Sequence, residues 1–250
     1  MELYQQIYKK LNSLEDVSVL SSETDIPKDV LFNILLQKIV RKVKLNYKNY
    51  KSMISEDSSV IEIARELEIP PVIVLRIKLE KKGYGKRRIK KILKNPELIE
   101  DEELRREVLY AISNDFVFSP YAQRVQRIRG NYVEEIVRLW LEDKNIKFYR
   151  ENEIPFKKTP DFLICSDLNI DGMKINWIEC KALFGDLKEH RYYLEKQYSH
   201  YVKVYGKGMV VYWYSFVDGI ERMEQSIIIK DRRFFCDKPR KIAETSGESK

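Results

Sequence analysis

Apolar residues recur every three or four positions through the first half of the chain. The repeat begins with Leu3, Tyr4, Ile7, Tyr8 and Leu11. This spacing places apolar side chains on one face of a helix. It continues, with interruptions at serine and proline, as far as residue 118. We therefore predict an all-α region over residues 1–118.

Two short helices are predicted within residues 58–82. The first contains the small residue Ala64, and the second begins at Pro71 and ends at Gly83. Proline suits the first helical position and glycine suits the position just after a helix. Two short helices joined by a tight turn resemble a helix-turn-helix. Many helical hairpins share the pattern, so an ordinary helical hairpin is the alternative.

A dense group of basic residues overlaps and follows the second helix. It comprises Arg76, Lys78, Lys81, Lys82, Lys86, Arg87, Arg88, Lys90, Lys91 and Lys94, with Glu80 as its one acid. The ordinary explanation of such a run is a solvated helix face. Next to a helix-turn-helix, contact with phosphate is favoured. The residues predicted to contact DNA are Arg76, Lys82, Arg87, Arg88, Lys90 and Lys91.

From Gly130 onward the pattern predicts helices and strands together. A helix with Val133, Val137 and Leu141 on its apolar face precedes a strand over residues 146–149. We therefore predict a domain boundary near residues 119–120, an α/β domain over residues 119–240, and a disordered tail over residues 241–250.

Three later segments complete this domain. Asp186 is predicted to cap a long helix from Leu187 to Tyr205. Residues 209–216 form a nearly continuous apolar and aromatic run, which is typical of a buried central strand. Residues 226–230 predict an edge strand.

A hairpin in the middle of this domain carries the candidate chemistry. Its strands are predicted within residues 158–165 and 175–181, with Asp171-Gly172 as a favourable turn between them. Alternate residues of a strand share a face, so Glu179 and Lys181 lie on the same side as Ile175 and Trp177. Asp161 opens the first strand. The hairpin thus brings two carboxylates and an ammonium group to one edge.

Two neighbouring carboxylates favour a bound cation. At about 4 Å they repel by roughly 4 kcal/mol at an effective dielectric of about 20. Carboxylate oxygens and water suit Mg²⁺ or Mn²⁺, and the backbone carbonyl of Cys180 is a further candidate ligand. Glu-x-Lys also arises by chance in this lysine- and glutamate-rich chain, at Glu80 and Glu142, but there in helical patterns.

Glu134 and Glu135 lie early in the helix that precedes the first strand. Either glutamate can lean toward the metal edge from that position. The simpler interpretation is that both are surface acids, and spacing alone favours it.

Charge and composition narrow the class of protein further. The formal net charge of +7 favours a polyanionic partner. Cys165, Cys180 and Cys236 lack zinc-type spacing and predict reduced thiols in an intracellular, cytoplasmic protein. The sequence has no run of 18 apolar residues, which predicts no membrane span. His190 and His200 also lack metal-ligand spacing and are predicted to be surface residues or phosphate contacts.

Four short motifs resemble those of the TPD-motif family. They are Thr159-Pro-Asp161, Trp177-Ile-Glu179-Cys-Lys181, Phe184-Gly-Asp186 and Tyr212-Trp-Tyr214. That family belongs to the PD-(D/E)xK nuclease superfamily, and its catalytic domain is similar to archaeal Holliday-junction resolvases. The resemblance implies an α/β fold with a restriction-endonuclease-like mixed sheet flanked by helices. An all-α, helix-turn-helix-like domain would precede it.

The resemblance also assigns roles to residues. It implies that Asp161 and Glu179 bind Mg²⁺ or Mn²⁺, that Lys181 is the catalytic lysine, and that Glu134 supports the metal shell. Gln197, with Tyr201 four residues later, resembles a Gln-x-x-x-Tyr element of related nucleases. Cys180 would contribute only its backbone.

These roles together predict a metal-dependent, structure-selective DNA endonuclease. A non-catalytic DNA-binding or scaffolding protein is the alternative. The predicted substrate is branched or single-stranded DNA, and a homodimer is a candidate assembly. In a eukaryote, the resemblance further implies a codanin-like protein partner and a location in nucleus and cytoplasm.

Overall fold

The computed structural model describes residues 2–155 and 158–236 and divides into two compact units. The first unit comprises residues 2–129, and the second begins at Gly130. The sequence predicts this boundary earlier, near residues 119–120. The difference arises because one helix continues from Pro120 to Asp143 and tolerates Gly130 within it. The tail predicted over residues 241–250 lies outside the described residues.

The first unit is helical, as its apolar repeat predicts. Its helices are α1 (Glu2–Lys10), α2 (Leu14–Thr24), α3 (Lys28–Met53), α4 (Val60–Glu66), α5 (Pro71–Lys81), α6 (Lys86–Lys94), α7 (Glu102–Ser113) and the first part of α8 (Pro120–Asp143). Side chains cap several of these helices. Ser13 and Asp16 form a reciprocal capping box at α2, and Asp101 accepts two backbone N–H groups at α7. Among the described residues, no helix is both long and apolar enough to cross a membrane.

Helix α5 lies in the core of the first unit. Val72 and Leu75 are fully buried, and Lys78 is buried in a 2.6 Å ion pair with Glu107. Asp115 accepts the Val72 N–H at 3.1 Å and so caps the start of the helix. A DNA-reading helix must present one face to the groove. The helix pair α4–α5 forms as predicted. Because α5 is buried along most of its length, it does not present a face that could enter a DNA groove.

The second unit combines the rest of α8 with a mixed sheet. Its further elements are β1 (Phe148–Arg150), β2 (Phe162–Ile164), β3 (Asn169–Ile170), β4 (Met173–Lys174), β5 (Trp177–Lys181), α9 (Leu187–Tyr193), α10 (Ser199–Tyr205), β6 (Gly208–Tyr212), β7 (Ile227–Lys230) and α11 (Arg233–Cys236). The main sheet has the order β1-β2-β5-β6-β7. The pairs β1–β2 and β2–β5 are antiparallel, and β5–β6 and β6–β7 are parallel. The predicted mixed α/β fold with flanking helices is confirmed, with β7 at the edge.

The central hairpin forms at the predicted turn. Asp171 and Gly172 have φ angles of 50° and 78°, as a type I′ turn requires, and β3 and β4 pair beside it. In the longer pair β2–β5, Phe162 stands opposite Ile178. One step further along the same antiparallel register, Asp161 comes beside Glu179.

Strand β6 is shorter than the sequence predicts. The apolar run reaches residue 216, whereas the strand ends at Tyr212. Ser215 has a φ angle of 68°, a left-handed conformation that ends extended structure. Trp213 and Tyr214 remain buried, which explains why the apolar pattern extends beyond the strand.

The long helix predicted over residues 187–205 is interrupted by a π-helical segment. Asp186 caps α9, as predicted, by accepting the N–H groups of Lys188 and Glu189. Residues Leu194–Tyr198 then form a π-helix before α10 continues. A π-helical segment accommodates an extra residue in the turn, and such segments are frequent at functional sites.

Aromatic packing holds this helical stretch against the sheet. The ring of Trp177 on β5 lies 6.3 Å from that of Tyr198 and 5.3 Å from that of Tyr201. Such pairs contribute about 0.5–1.5 kcal/mol each beyond burial. The Trp177 indole also crosses the neighbouring strand at Gly208, where a Cβ atom would lie 2.0 Å from the ring. Glycine is therefore required at this position.

Candidate active site

Asp161 and Glu179 form a carboxylate pair at the edge of the β2–β5 hairpin, with Glu179 buried and Asp161 half-buried. Glu179 is 3% exposed, and Asp161 accepts the Cys180 N–H at 2.6 Å. Burial, followed by the nearby Glu179, raises the pKa of Asp161 well above its ordinary value. Burial likewise raises the pKa of Glu179, and Lys181 offsets part of that rise. A cation bound between them would favour the charged form of both groups.

The side chain of Lys181 lies on the same face as Glu179. Its Nζ donates to Glu179 Oε1 at 2.5 Å and to Gln197 Oε1 at 3.1 Å. The same ammonium lies 4.4 Å from the centre of the Tyr193 ring. Burial tends to lower the pKa of Lys181, but its charge interaction and hydrogen bond with Glu179 raise it above the ordinary value. Lys181 is therefore an ammonium ion in the site.

Gln197 reaches Lys181 from the π-helical segment. The Gln-x-x-x-Tyr resemblance pairs Gln197 with Tyr201, which lies on α10. The Tyr201 hydroxyl donates to the Thr159 carbonyl at 2.8 Å. That bond fixes the backbone two residues before Asp161. The helical stretch thus positions Lys181 through Gln197, and it positions the backbone just before Asp161 through Tyr201.

The structure distinguishes the two glutamates of α8. Glu134 is half-buried, pairs with Arg150 at 3.6 Å, and contributes to the raised pKa of Asp161. Burial raises the pKa of Glu134 itself. Glu135 instead pairs with Arg138 on its own helix. Of the alternatives left open by the sequence, the geometry favours Glu134 as the supporting acid.

Residues 2–155 and 158–236 contain no group of three or more histidine, cysteine, aspartate and glutamate side chains arranged to hold a metal ion. The side chain of Glu134 therefore does not complete a three-carboxylate cluster with Asp161 and Glu179. Cys180 contributes its backbone N–H to Asp161, and burial raises the pKa of its thiol well above the ordinary value. A ligand role for the Cys180 carbonyl stays a prediction.

The chemistry of the carboxylate pair fits a hard divalent cation. Glu179 Oε2 is buried and, among the described residues, has no hydrogen-bond partner of normal geometry, an unfavourable state for a carboxylate oxygen. Glu179 lies beside Asp161, and its charge, after burial, helps to raise the pKa of Asp161. Mg²⁺ is commonly held by one or two carboxylates together with water and substrate phosphate. Asp161 and Glu179 would provide that pair of ligands.

Two features of the site were not predicted. Tyr193 contacts the Lys181 ammonium, and its position four residues before Gln197 would have placed both on one helix face. His190, predicted at the surface, is fully buried because it packs on Tyr198 and Tyr212. Its Nδ1 lies 3.1 Å from the Tyr212 hydroxyl. The surface prediction for His190 was wrong, whereas His200 is exposed.

The predicted DNA-contacting residues of the first unit fall mainly on α6. Arg87, Arg88, Lys90 and Lys91 are exposed there, while Ile89 and Leu93 bury the opposite face.

Two members of the predicted set lie outside α6. Lys82 is also exposed, but Arg76 is half-buried and interacts with Asp115 in the core. Lys78, which belongs to the same basic group, is buried against Glu107. We retain the exposed members as the candidate phosphate surface, defined as Lys82, Arg87, Arg88, Lys90 and Lys91.

The fold and the site define a class of protein. A mixed sheet flanked by helices, with two carboxylates and a lysine meeting at its edge, is consistent with a nuclease-like α/β protein. A family model described as "Protein of unknown function TPD sequence-motif" matches residues 100–233. The chain belongs to this TPD-motif family.

Relatives from several vertebrates support the same grouping. The chain is 31% identical over 203 residues to CDAN1-interacting nuclease 1 of Xenopus laevis, which covers 76% of this chain and 67% of the relative. It is 31% identical over 182 residues to the Homo sapiens protein of that name, covering 68% and 65%. For Danio rerio the identity is 26% over 235 residues, covering 83% and 78%. No solved structure matches the chain.

Proposed function

We propose that this chain is a metal-dependent deoxyribonuclease that cleaves phosphodiester bonds within DNA. The observation that carries the proposal is the pair of carboxylates, Asp161 and Glu179, together with the charged Lys181, whose Nζ lies 2.5 Å from Glu179 Oε1. The name of the relatives, which describes them as nucleases, supports the reaction class.

Asp161 and Glu179 would hold Mg²⁺ or Mn²⁺ at the hairpin edge. When bound, the ion supplies Lewis-acid activation of a phosphate oxygen and lowers the pKa of a coordinated water. Both carboxylates must be ionised to bind it, so the raised pKa of Asp161 makes metal binding release protons.

Lys181 acts as a fixed positive charge beside the reacting phosphate. Its raised pKa keeps the proton on Nζ, which excludes a role as general base at neutral pH. Glu179, Gln197 and Tyr193 hold the ammonium from three sides. A charge held in place before the reaction stabilises negative charge that develops in the transition state, and burial strengthens that effect.

The exposed residues of the candidate phosphate surface on the first unit would bind the DNA backbone. Such contacts supply affinity and carry little sequence information. Selectivity for a DNA structure would then have to come from the second unit. We also propose a codanin-like protein partner, because the name of the relatives describes an interaction with CDAN1. Mixing the purified chain with such a protein and following co-elution would test this.

Cleavage of a panel of labelled DNA structures, with Mg²⁺, Mn²⁺ or a chelator, tests the enzymatic proposal. Asp161→Asn and Glu179→Gln keep side-chain volume and remove the charges that bind the ion. We expect metal-dependent cleavage by the wild type and none by either variant, with DNA binding retained. Asp167→Asn is the matched control, because Asp167 is an exposed carboxylate in the same hairpin and pairs with Lys174 rather than with a residue of the site.

Two results would contradict the proposal. Wild-type protein that binds DNA and cleaves no structure with either ion would support the alternative of a non-catalytic DNA-binding protein. Cleavage by both isosteric variants at the wild-type rate would place the reaction elsewhere in the chain.

A further inference from the structure

An open cleft of about 400 Å³ adjoins the carboxylate–lysine site. One wall is the helical stretch that carries Tyr192, Lys196 and Gln197, and the other includes Glu151 and Lys158. Gln197 and Tyr193 line the cleft and both contact Lys181, so the cleft shares two side chains with the site. Thr159 also lines it, two residues before Asp161.

The size of the cleft limits what can enter it. Clefts of about 300–1,000 Å³ accommodate small ligands. The bases of a duplex are paired and stacked inside the helix, so only an unpaired or extruded base can enter a cleft of this volume. One unpaired nucleotide, extended from the strand that is being cleaved, matches the available space.

The side chains of the cleft match the parts of a nucleotide. Lys158 and Lys196 are exposed, and neither has a carboxylate partner among the described residues. They are suited to bind phosphates on either side of the unpaired base. Glu151 places one negative charge at the rim and confines phosphate to the lysine positions.

Tyr192 is the available stacking surface. It is 54% exposed, and its ring contact with Tyr193 is T-shaped, at 5.3 Å. Tyr193 itself is already engaged, because Lys181 lies over its ring and Tyr198 stacks on it. Exposed aromatic rings bind unpaired bases with little regard to sequence.

We propose that Tyr192, Lys158 and Lys196 form a subsite for an unpaired nucleotide next to the scissile phosphate. This inference rests on the proposed nuclease function for its biological meaning. It assigns the substrate class as DNA with a single-stranded segment at the cleavage position, such as a flap or an overhang. Intact duplex is a poor substrate because its paired bases do not reach the cleft.

Binding in the absence of divalent metal tests the subsite separately from cleavage. The full chain is titrated into two DNA molecules with equal numbers of phosphates, a blunt duplex and a duplex with a single-stranded tail. The tail carries 2-aminopurine, whose fluorescence changes on stacking. We expect Tyr192→Ala to weaken binding of the tailed DNA about tenfold, as loss of one base stack predicts, and to abolish the fluorescence change.

Matched variants separate the subsite from general effects. Tyr192→Phe should restore both binding and signal, because stacking needs only the ring. Tyr149→Ala is the control, since Tyr149 is also 54% exposed and does not line the cleft. Lys158→Gln and Lys196→Gln should each flatten the log–log salt dependence of tailed-DNA binding by about 0.7, the value for one phosphate of a single strand. Lys203→Gln, an exposed lysine on α10, should not.

Each outcome decides between the alternatives. Wild-type-like binding and fluorescence in Tyr192→Ala would overturn the subsite even if the protein cleaves DNA. An equal loss of affinity for blunt and tailed DNA would also overturn it. A loss confined to tailed DNA would support the subsite even if no cleavage were detected, in which case only the nuclease proposal would fail.

Discussion

The ion pair between Lys181 and Glu179 gives a quantitative prediction for metal-free protein. Lys181→Met keeps most of the side-chain volume and removes the ammonium that lies 2.5 Å from Glu179 Oε1. Removing one partner of a buried ion pair typically costs about 3–5 kcal/mol, because the remaining charge stays buried. Glu179 can limit this loss by taking up a proton.

The free energy needed to protonate Glu179 sets this limit, and it depends on pH. Protonating a carboxyl group whose ordinary pKa is 4.5 costs about 3 kcal/mol at pH 7 and about 1 kcal/mol at pH 5.5. We therefore expect Lys181→Met to lower the free energy of unfolding by at most about 3 kcal/mol at pH 7 and about 1 kcal/mol at pH 5.5, with the larger loss at pH 7. The double variant Glu179→Gln with Lys181→Met should recover most of the loss at pH 7, because no buried charge remains at that pair.

The assay is urea unfolding with a chelator present, followed by tryptophan fluorescence. Trp140, Trp177 and Trp213 all lie in the second unit, so the signal reports the unit that contains the site. A loss below about 1 kcal/mol at pH 7 would refute the assignment of a buried pair. Equal losses at both pH values would refute proton uptake by Glu179 as the limiting step.

Two further predictions concern the candidate phosphate surface and His190. Charge reversal at Arg87, Arg88, Lys90 and Lys91 should flatten the log–log salt dependence of duplex binding by about 0.9 for each phosphate that is no longer neutralised. Turnover at saturating DNA should not change. An unchanged slope would show that this face is only solvated. Burial lowers the pKa of His190 to about 4, below its ordinary value of 6.5, so the unfolded chain binds the proton more readily and stability falls as pH decreases. That pKa difference lowers the free energy of unfolding by about 2 kcal/mol between pH 7 and pH 5. His190→Gln should remove this pH dependence. If the variant keeps it, other groups cause it.

Local sequence signals predicted the hairpin and the shared face of Glu179 and Lys181. Asp171-Gly172 identified the turn because few residues tolerate two consecutive positive φ angles. Once the turn was placed, the two-residue period of a strand put Glu179 and Lys181 on one face, and the ion pair between them confirms that placement. The cap at Asp186 was predicted for a similar reason, since only short polar side chains accept the first N–H groups of a helix.

Features that depend on contacts between residues far apart in the sequence could not be predicted in this way. The burial of His190 depends on Tyr198 and Tyr212, which lie 8 and 22 residues later in the chain. Lys78 belongs to a basic group for which contact with phosphate was favoured, yet Glu107 from another helix pairs with it in the core. A single sequence shows which residues are present but not which of them come into contact.

The π-helical segment has a consequence for how the chain tolerates insertion and deletion. Each residue of an α-helix turns the chain by about 100°, since a turn contains 3.6 residues. A single deletion in a regular helix before Tyr201 would therefore turn Tyr201 by about that angle, away from Trp177 and the Thr159 carbonyl. The π-helical segment Leu194–Tyr198 instead holds one residue more than a regular helix needs, in a wider turn. Deleting the exposed Glu195 would restore α-helical geometry there and leave Tyr201 facing the same partners. This segment tolerates the loss of one residue, whereas the regular helix on either side does not.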